Sequence, residues 1–319
     1  MASALIVSVK DAEGMNLPHI KCDNPELYFA LVSNLFYPRP NLDLGIHQSA
    51  VIDQSAKIGT EVAISPLVTI GKNVTIGKNC QIHPHVTVAN DVVIGDNTHI
   101  HPNAIIYPDT TIGSNCQIFP GALIGIVSQD LKYKGEKAKT TIGNNTIIRE
   151  YATVHKGTAD RMLTAIGDNC LIMAYAHVAH DCILGNNIIL ANYVGLAGHI
   201  TIEDFVIIEG YAAIQQFIRI GAHSFIAGAS KIRKNVPPFI RVAREPLQYI
   251  GVNTVGLARR GFEKETINQI EDIYRLIFVR GHNVTNALAL VDVEIPESDV
   301  KKQIVDFIKS STDGIVKGI

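Results

Sequence analysis

Charge of one sign is not in excess: the formal net charge is −2 over 319 residues, which argues against bulk nucleic-acid binding. The five cysteines (Cys22, Cys80, Cys116, Cys170, Cys182) contain no CxxC pair. Three of them follow Asn in turns, so they are expected to be reduced core or turn residues, not disulfides or metal ligands. No basic region with an apolar run and cleavage site opens the chain, and no stretch reaches the roughly 18 apolar residues of a membrane span. A soluble, cytoplasmic protein without stable membrane insertion is expected. Several signatures are missing too: there is no GxGxxG in a βαβ unit, no P-loop, no HExxH and no GxSxG. Their absence removes support for dinucleotide binding, P-loop phosphate chemistry, zinc proteolysis and a serine nucleophile.

What is present is a period of six. Every sixth residue from Ile52 to Ile232 is Ile, Leu or Val, except Asp130, Glu136 and Asp160. Neither an amphipathic helix nor a simple alternating strand has that period. A coil with short strands as sides does, each side sending one aliphatic residue inward. Glycine often follows that residue, as at Gly71, Gly77, Gly95, Gly113, Gly143, Gly167 and Gly185, which suits a corner with unusual backbone angles. Three sides close a triangular coil of 18 residues, and the run makes about ten coils of an all-β parallel solenoid. The three misses mark two loops, near 126–140 and 157–164, that leave and rejoin in register.

The ends read differently. Residues 1–46 form a small α/β appendage, with a strand over Ala4–Val9 and a helix over Pro25–Phe36 ended by Pro38 and Pro40. The β-helix covers 47–235. Residues 236–319 form a small α-helical C-terminal domain, with helical spacing over 262–281 (Ile267, Ile270, Ile273, Tyr274, Ile277) and over 297–309 (Val300, Ile304, Phe307, Ile308).

In a solenoid, residues 18 apart stack on neighbouring coils, about 4.8 Å apart. One column holds His180, Gly198 and Gln216; the next holds Asp181, His199 and Phe217. His180, Asp181 and His199 should therefore cluster, with Gly198 leaving room beside His180 and His177 in the same strand. A histidine next to a carboxylate suits a general base, since its ordinary pKa lies near 6.5; the plain alternative is a group of polar turn residues. His83, His85, His99 and His101 occupy simple repeat positions, where the pattern itself supplies no carboxylate, and read as surface or interface residues. The segment 231–260 carries Lys231, Arg233, Lys234, Arg241, Arg244, Arg259 and Arg260 against Glu245 alone. It is either a solvated face or a site for phosphates or an acidic protein.

Several motifs resemble the UDP-N-acetylglucosamine O-acyltransferase family. They are SQDLKYKGE (Ser128–Glu136), IRE (Ile148–Glu150), HKGT (His155–Thr158), LIMAYAHVAHDC (Leu171–Cys182), LAGH (Leu196–His199), VPPF (Val236–Phe239) and GLARRGF (Gly256–Phe262). The likeness covers about residues 120–319. It implies a left-handed β-helix and a homotrimer with active sites between subunits. It also implies transfer of a (3-hydroxy)acyl chain from acyl carrier protein to the 3-hydroxyl of the UDP-sugar, the first step of lipid A biosynthesis. No metal or separate cofactor is implied, because the acyl chain rides on the carrier's phosphopantetheine. By the same resemblance His180 is the general base, Asp181 orients it and the Gly198 N–H stabilises the oxyanion. His177 and His199 hold the sugar, Gln129, Asp130 and Lys132 reach substrate, and Gln216 lines the cleft. Gly228 leaves room for the acyl chain, while Asn253, Arg259 and Arg260 contact the nucleotide and its phosphates.

Two positions depart from the family pattern: Gln215 stands where a histidine is usual, and Val255 where an acid is. Residues 1–125 instead look like UDP-3-O-acylglucosamine N-acyltransferase, through DNPELYFALVSNLF (Asp23–Phe36) and GIHQSAVIDQSAKIG (Gly45–Gly59). By that likeness Asn24 and Tyr28 would be nucleotide contacts. N-acylation of a UDP-amino sugar or UDP-3-O-acylglucosamine is therefore the alternative reading. A zinc enzyme like the γ-class carbonic anhydrases, with His177, His180 and His199 as ligands, and a non-catalytic scaffold complete the alternatives.

Overall fold

The computed structural model describes residues 3–36 and 42–318. The chain divides into two compact units between Asp43 and Leu44. In the first, the strand Leu5–Ser8 pairs in parallel with His19–Cys22, and helix α1 runs from Pro25 to Phe36. Pro38 and Pro40, read as the helix stop, lie outside the described residues.

The second unit is the solenoid. Among the described residues its walls are sheets of ten, nine and twelve strands, wound as a left-handed β-helix. The first strand, Gly45–Ile46, already pairs with Ala63–Ile64, so coiling begins just ahead of residue 47. The parallel strands carry aliphatic residues in unbroken columns, such as Ile70, Val88 and Ile106. All three are buried.

From Val62 onward each hexad buries two positions, not the single one read from the sequence. The second lies two residues before the aliphatic: Val68, Val74, Cys80, Val86, Val92, Thr98, Ala104, Cys116 and Ala122 are buried there. Several of the Cys and Thr side chains there donate to a carbonyl of the next coil, as Cys80 Sγ to Gly95 O at 3.1 Å and Thr98 Oγ1 to Gly113 O at 2.9 Å. All five cysteines are free thiols and buried.

The corner glycines also act differently from the sequence reading. The left-handed backbone falls two residues later, at Asn73 (φ 56°), Asn79 (φ 54°) and Asn97 (φ 56°), where Asn tolerates it best after Gly. The glycines are required by stacking. A Cβ on Gly95 would sit 2.6 Å from the Gly113 carbonyl carbon, and one on Gly167 2.5 Å from Gly185 O.

The two excursions rejoin in register because they add whole hexads. Partners 18 apart elsewhere are 30 apart across the first, as Ser114 and Asn144, and 24 apart across the second, as Asn144 and Asp168. After the last coil the hairpin Ile240–Ala243 and Gln248–Val252 extends the twelve-stranded sheet. Four helices follow: α2 (Thr254–Arg259), α3 (Lys264–Tyr274), α4 (Val284–Glu294) and α5 (Asp299–Lys309). A π-helical turn, Arg275–Val279, continues α3; α2 and α4 were not foreseen.

Candidate active site

The ten-stranded sheet brings the site together. His177–Val178 pairs with Gly195–Leu196, which pairs with Ala213–Ile214. At the corner after each of these strands, Asp181 (φ 58°), His199 (φ 63°) and Phe217 (φ 65°) occupy the left-handed position. They stack as the repeat requires. The His199 ring lies on Phe217 at 4.5 Å and meets the His180 ring edge-on at 4.9 Å.

Asp181 is fully buried, and His180 and His199 nearly so. Burial alone would push the Asp181 carboxyl up. Hydrogen bonds from the Thr158 hydroxyl (2.5 Å) and N–H (3.0 Å), from His180 Nδ1 (2.9 Å) and from the Arg161 N–H (3.1 Å) outweigh it, so its pKa falls below the ordinary value. A buried, permanent carboxylate on Nδ1 fixes the proton there and leaves Nε2 as the basic atom. That atom faces a groove of about 430 Å³ lined by Gln129, Asp130, His177, His180, Gly198 and Gln216. Asp130 Oδ2 lies 4.0 Å from it.

Gly198 sits directly under this ring. A Cβ there would be 2.5 Å from His180 Cε1 and 2.6 Å from Nε2, so only glycine admits the histidine. Its N–H is unpaired among the described residues as well. At the equivalent hexad position of Lys72, Lys78, Ser114, Asn144, Asp168 and Asn186, an Asn or Asp oxygen of the next coil accepts the backbone N–H. At Gly198 the next coil offers Gln216, and among the described residues the N–H has no acceptor. A free amide beside a general base can bind a developing oxyanion.

His177 hydrogen-bonds Thr153 Oγ1 through Nδ1 at 2.8 Å. Burial first, then the neighbouring His155 and His180, push its pKa down to about 4. It is a neutral hydrogen-bonding residue at ordinary pH. His155 meets it at 5.0 Å, with Nδ1 donating to Val127 O at 2.7 Å.

Some residues singled out from sequence do not reach this groove within one chain. Lys132 is exposed on the first excursion. Gly228 is exposed, with its N–H on Glu209 Oε2 at 2.9 Å. Arg259 is exposed on α2. Asn253 caps α2, its Oδ1 accepting from Gly256 N and its Nδ2 donating to His223 O at 2.8 Å. Arg260 stands over Phe205 at 5.4 Å beside His223, whose pKa is pushed down to about 4 by burial and then by that guanidinium. His83 stacks on His101 and His101 on Phe119, whose ring Arg149 covers.

Thr153, His155, Thr158, Asp160 and Arg161 went unrecognised as site residues in the sequence. The hints were that His155 and Thr158 lie in the HKGT motif and that Asp160 breaks the six-residue rule. His180, Asp181 and His199 bring donor atoms within 4.8 Å of one another. Both Asp181 oxygens already accept hydrogen bonds, however, so this carboxylate is an orienting group and a poor metal ligand.

A parallel β-helix of hexapeptide repeats whose cleft holds an oriented histidine beside a free backbone amide defines a hexapeptide-repeat acyltransferase. Comparison with known proteins narrows the class. Residues 55–90, 91–125 and 164–198 match the bacterial transferase hexapeptide model, and 235–316 match domain 2 of the UDP-N-acetylglucosamine O-acyltransferase family. Over 196 residues the chain is 39% identical to the acyl-[acyl-carrier-protein]–UDP-N-acetylglucosamine O-acyltransferase of Aliivibrio salmonicida, covering 61% of this chain and 75% of the relative. The corresponding enzyme of Pseudomonas aeruginosa is 38% identical over 198 residues, 61% and 76% of the two chains. Among solved structures, a UDP-N-acetylglucosamine acyltransferase from Bacteroides fragilis superposes with a TM-score of 0.76 at 41% identity, covering 86% of this chain and all of that one. A related structure from Acinetobacter baumannii gives 0.75 at 40%, with the same coverage. The chain belongs to the UDP-N-acetylglucosamine O-acyltransferase family.

Proposed function

We propose that this enzyme moves a (3-hydroxy)acyl chain from acyl carrier protein to the 3-hydroxyl of UDP-N-acetylglucosamine, the first step of lipid A biosynthesis. The observation that carries the reading is His180, held through Nδ1 by buried Asp181 with Nε2 on the groove beside the free Gly198 N–H. His180 Nε2 takes the proton of the sugar hydroxyl as its oxygen attacks the thioester carbonyl carbon. The carbonyl electrons move onto oxygen, where the Gly198 N–H meets them. Collapse of the tetrahedral adduct breaks the C–S bond, and the imidazolium returns its proton to the departing phosphopantetheine sulfur. Asp181 stabilises the transient imidazolium. Nothing in this sequence of proton transfers calls for a metal or a separate cofactor.

Gln129 and Asp130 approach the groove from the first excursion, His177 and Gln216 line it, and His199 stands against His180 at its edge, where a sugar hydroxyl would reach it. Asn253, Arg259 and Arg260 lie away from the His180 groove in one chain, which supports a site completed between copies of a homotrimer. No helix among the described residues is long and apolar enough to cross a membrane, consistent with a cytoplasmic enzyme that meets its acyl chain on a soluble carrier. The test is incubation of purified protein with 3-hydroxyacyl carrier proteins of several chain lengths and UDP-N-acetylglucosamine or its 3-amino analogue. An alkali-labile ester of the expected mass is the expected product. No transfer at any chain length, or transfer to the amine alone, would overturn the reading.

A further inference from the structure

We infer that Asp160, fastened in place by Arg161, is a positioning residue for His199 and sets which of its ring nitrogens carries the proton. The excursion over residues 156–162 adds one hexad to the coil and spends its polar groups on the dyad corner. Thr158 gives Asp181 its N–H and hydroxyl, and Arg161 gives it a further N–H. The Arg161 guanidinium then spans two coils, donating to Asp181 O at 2.9 Å, His199 O at 3.2 Å and Thr201 Oγ1 at 3.2 Å. Asp160 lies between these two anchored residues, and its Oδ2 sits 2.8 Å from His199 Nδ1.

The His199 ring has little freedom to turn away, because Phe217 packs flat on one side and His180 meets it edge-on. Two carboxylates therefore face Nδ1. Asp181 Oδ2 is 4.0 Å away and already engaged; Asp160 is nearer, and its carboxylate meets no other donor among the described residues. The Asp160 contact is off the ring N–H direction, so the carboxylate acts by its charge on the polar ring at close range and not as an in-line hydrogen bond. A lone pair on Nδ1 would point at an anion, so the proton belongs on Nδ1 and Nε2 is left as the acceptor. A substrate hydroxyl or amide N–H donating to Nε2 would then be held in a fixed orientation.

This inference rests on the reading of His199 as an acceptor-binding residue, and its test has one arm independent of turnover. Nitrogen-15 spectra of histidine-labelled protein should show His199 protonated on Nδ1 in the wild type and shifted toward Nε2 in Asp160→Asn. An unchanged tautomer would overturn the inference even in a protein that proved inactive. In kinetics, Asp160→Asn should raise the acceptor KM about tenfold, as expected for loss of a charge-assisted contact. It should move kcat less than threefold and leave the donor KM alone, and Asp160→Glu should recover most of the loss. Full wild-type activity with an unaltered acceptor KM in Asp160→Asn would sink the inference while leaving the proposed reaction standing. A loss of thermal stability with both KM values equally affected would mean that the aspartate only holds the loop.

Discussion

Asp181 keeps its charge in full burial because four donors converge on it, and three of them come from an excursion that the repeat does not govern. That division explains what the sequence exposed. His180, Asp181, Gly198 and His199 were legible because columns 18 residues apart place them side by side. Thr158, Asp160 and Arg161 were hidden, since nothing in a six-residue period states where an inserted hexad folds back. Asp181→Asn should lower kcat roughly 10³-fold by freeing the His180 tautomer, with a smaller effect on KM; steady-state kinetics on the purified variant checks this. The buried histidines make a second expectation. Unfolded histidine takes up a proton near pH 6.5, whereas His177 and His223 resist it down to about 4. The unfolded chain therefore binds more protons in that window, so stability is full above about pH 6.5 and declines as the pH falls toward 4. Asp181, with its lowered pKa, adds a loss only below its ordinary 3.8. Urea midpoints across pH 4–8 should show this slope, and His177→Gln combined with His223→Gln should flatten it.

At the scale of the coil, the six-residue rule was readable because a misplaced aliphatic residue would leave the solenoid interior. The second inward position was not, because it accepts Val, Ala, Cys or Thr and so carries no single signature. The glycines were noticed but explained by backbone freedom, when their function is to let neighbouring coils approach. The two causes separate experimentally. Gly95→Ala would place a methyl 2.6 Å from backbone of the next coil and is expected to cost about 2–3 kcal/mol. Gly195→Ala meets nothing within 4 Å and should stay within about 0.5 kcal/mol of wild type. Equal urea midpoints for the two variants would contradict the stacking explanation. The tyrosines at another corner add to the coil-to-coil contacts: Tyr151, Tyr175, Tyr193 and Tyr211 form a continuous stack with ring centroids 5.0–5.3 Å apart.

For the whole molecule, the unit boundary at Asp43 and the position of every proposed catalytic residue beyond it suggest a clean separation. A chain beginning at Leu44 is expected to keep its melting temperature and its transfer rate. Retained folding with lost UDP-sugar binding would give residues 1–43 a share in the site. The basic segment also resolves into parts. Lys231, Arg233, Lys234 and Lys317 surround a small pocket of about 130 Å³. Glu245 stands 3.9 Å from both Lys231 and Arg233, and Lys234 Nζ is tied to Asp313 O at 2.8 Å. Lys231 and Arg233 share the single carboxylate of Glu245 at long range and stay exposed, so both remain available to an acidic carrier protein. Reversing both to Glu should raise the donor KM and weaken its salt dependence, with the acceptor KM near normal. A donor KM insensitive to salt in wild type and variant alike would rule out docking there.

The most direct measurement of the central claim is the transfer rate from 3-hydroxyacyl carrier protein to UDP-N-acetylglucosamine in wild type and His180→Ala, compared at equal oligomeric state and melting temperature. The account expects robust ester formation by the wild type and a kcat about 10²–10⁴-fold lower in the variant. Near-equal rates in two correctly folded proteins would contradict it and remove His180 from the chemistry.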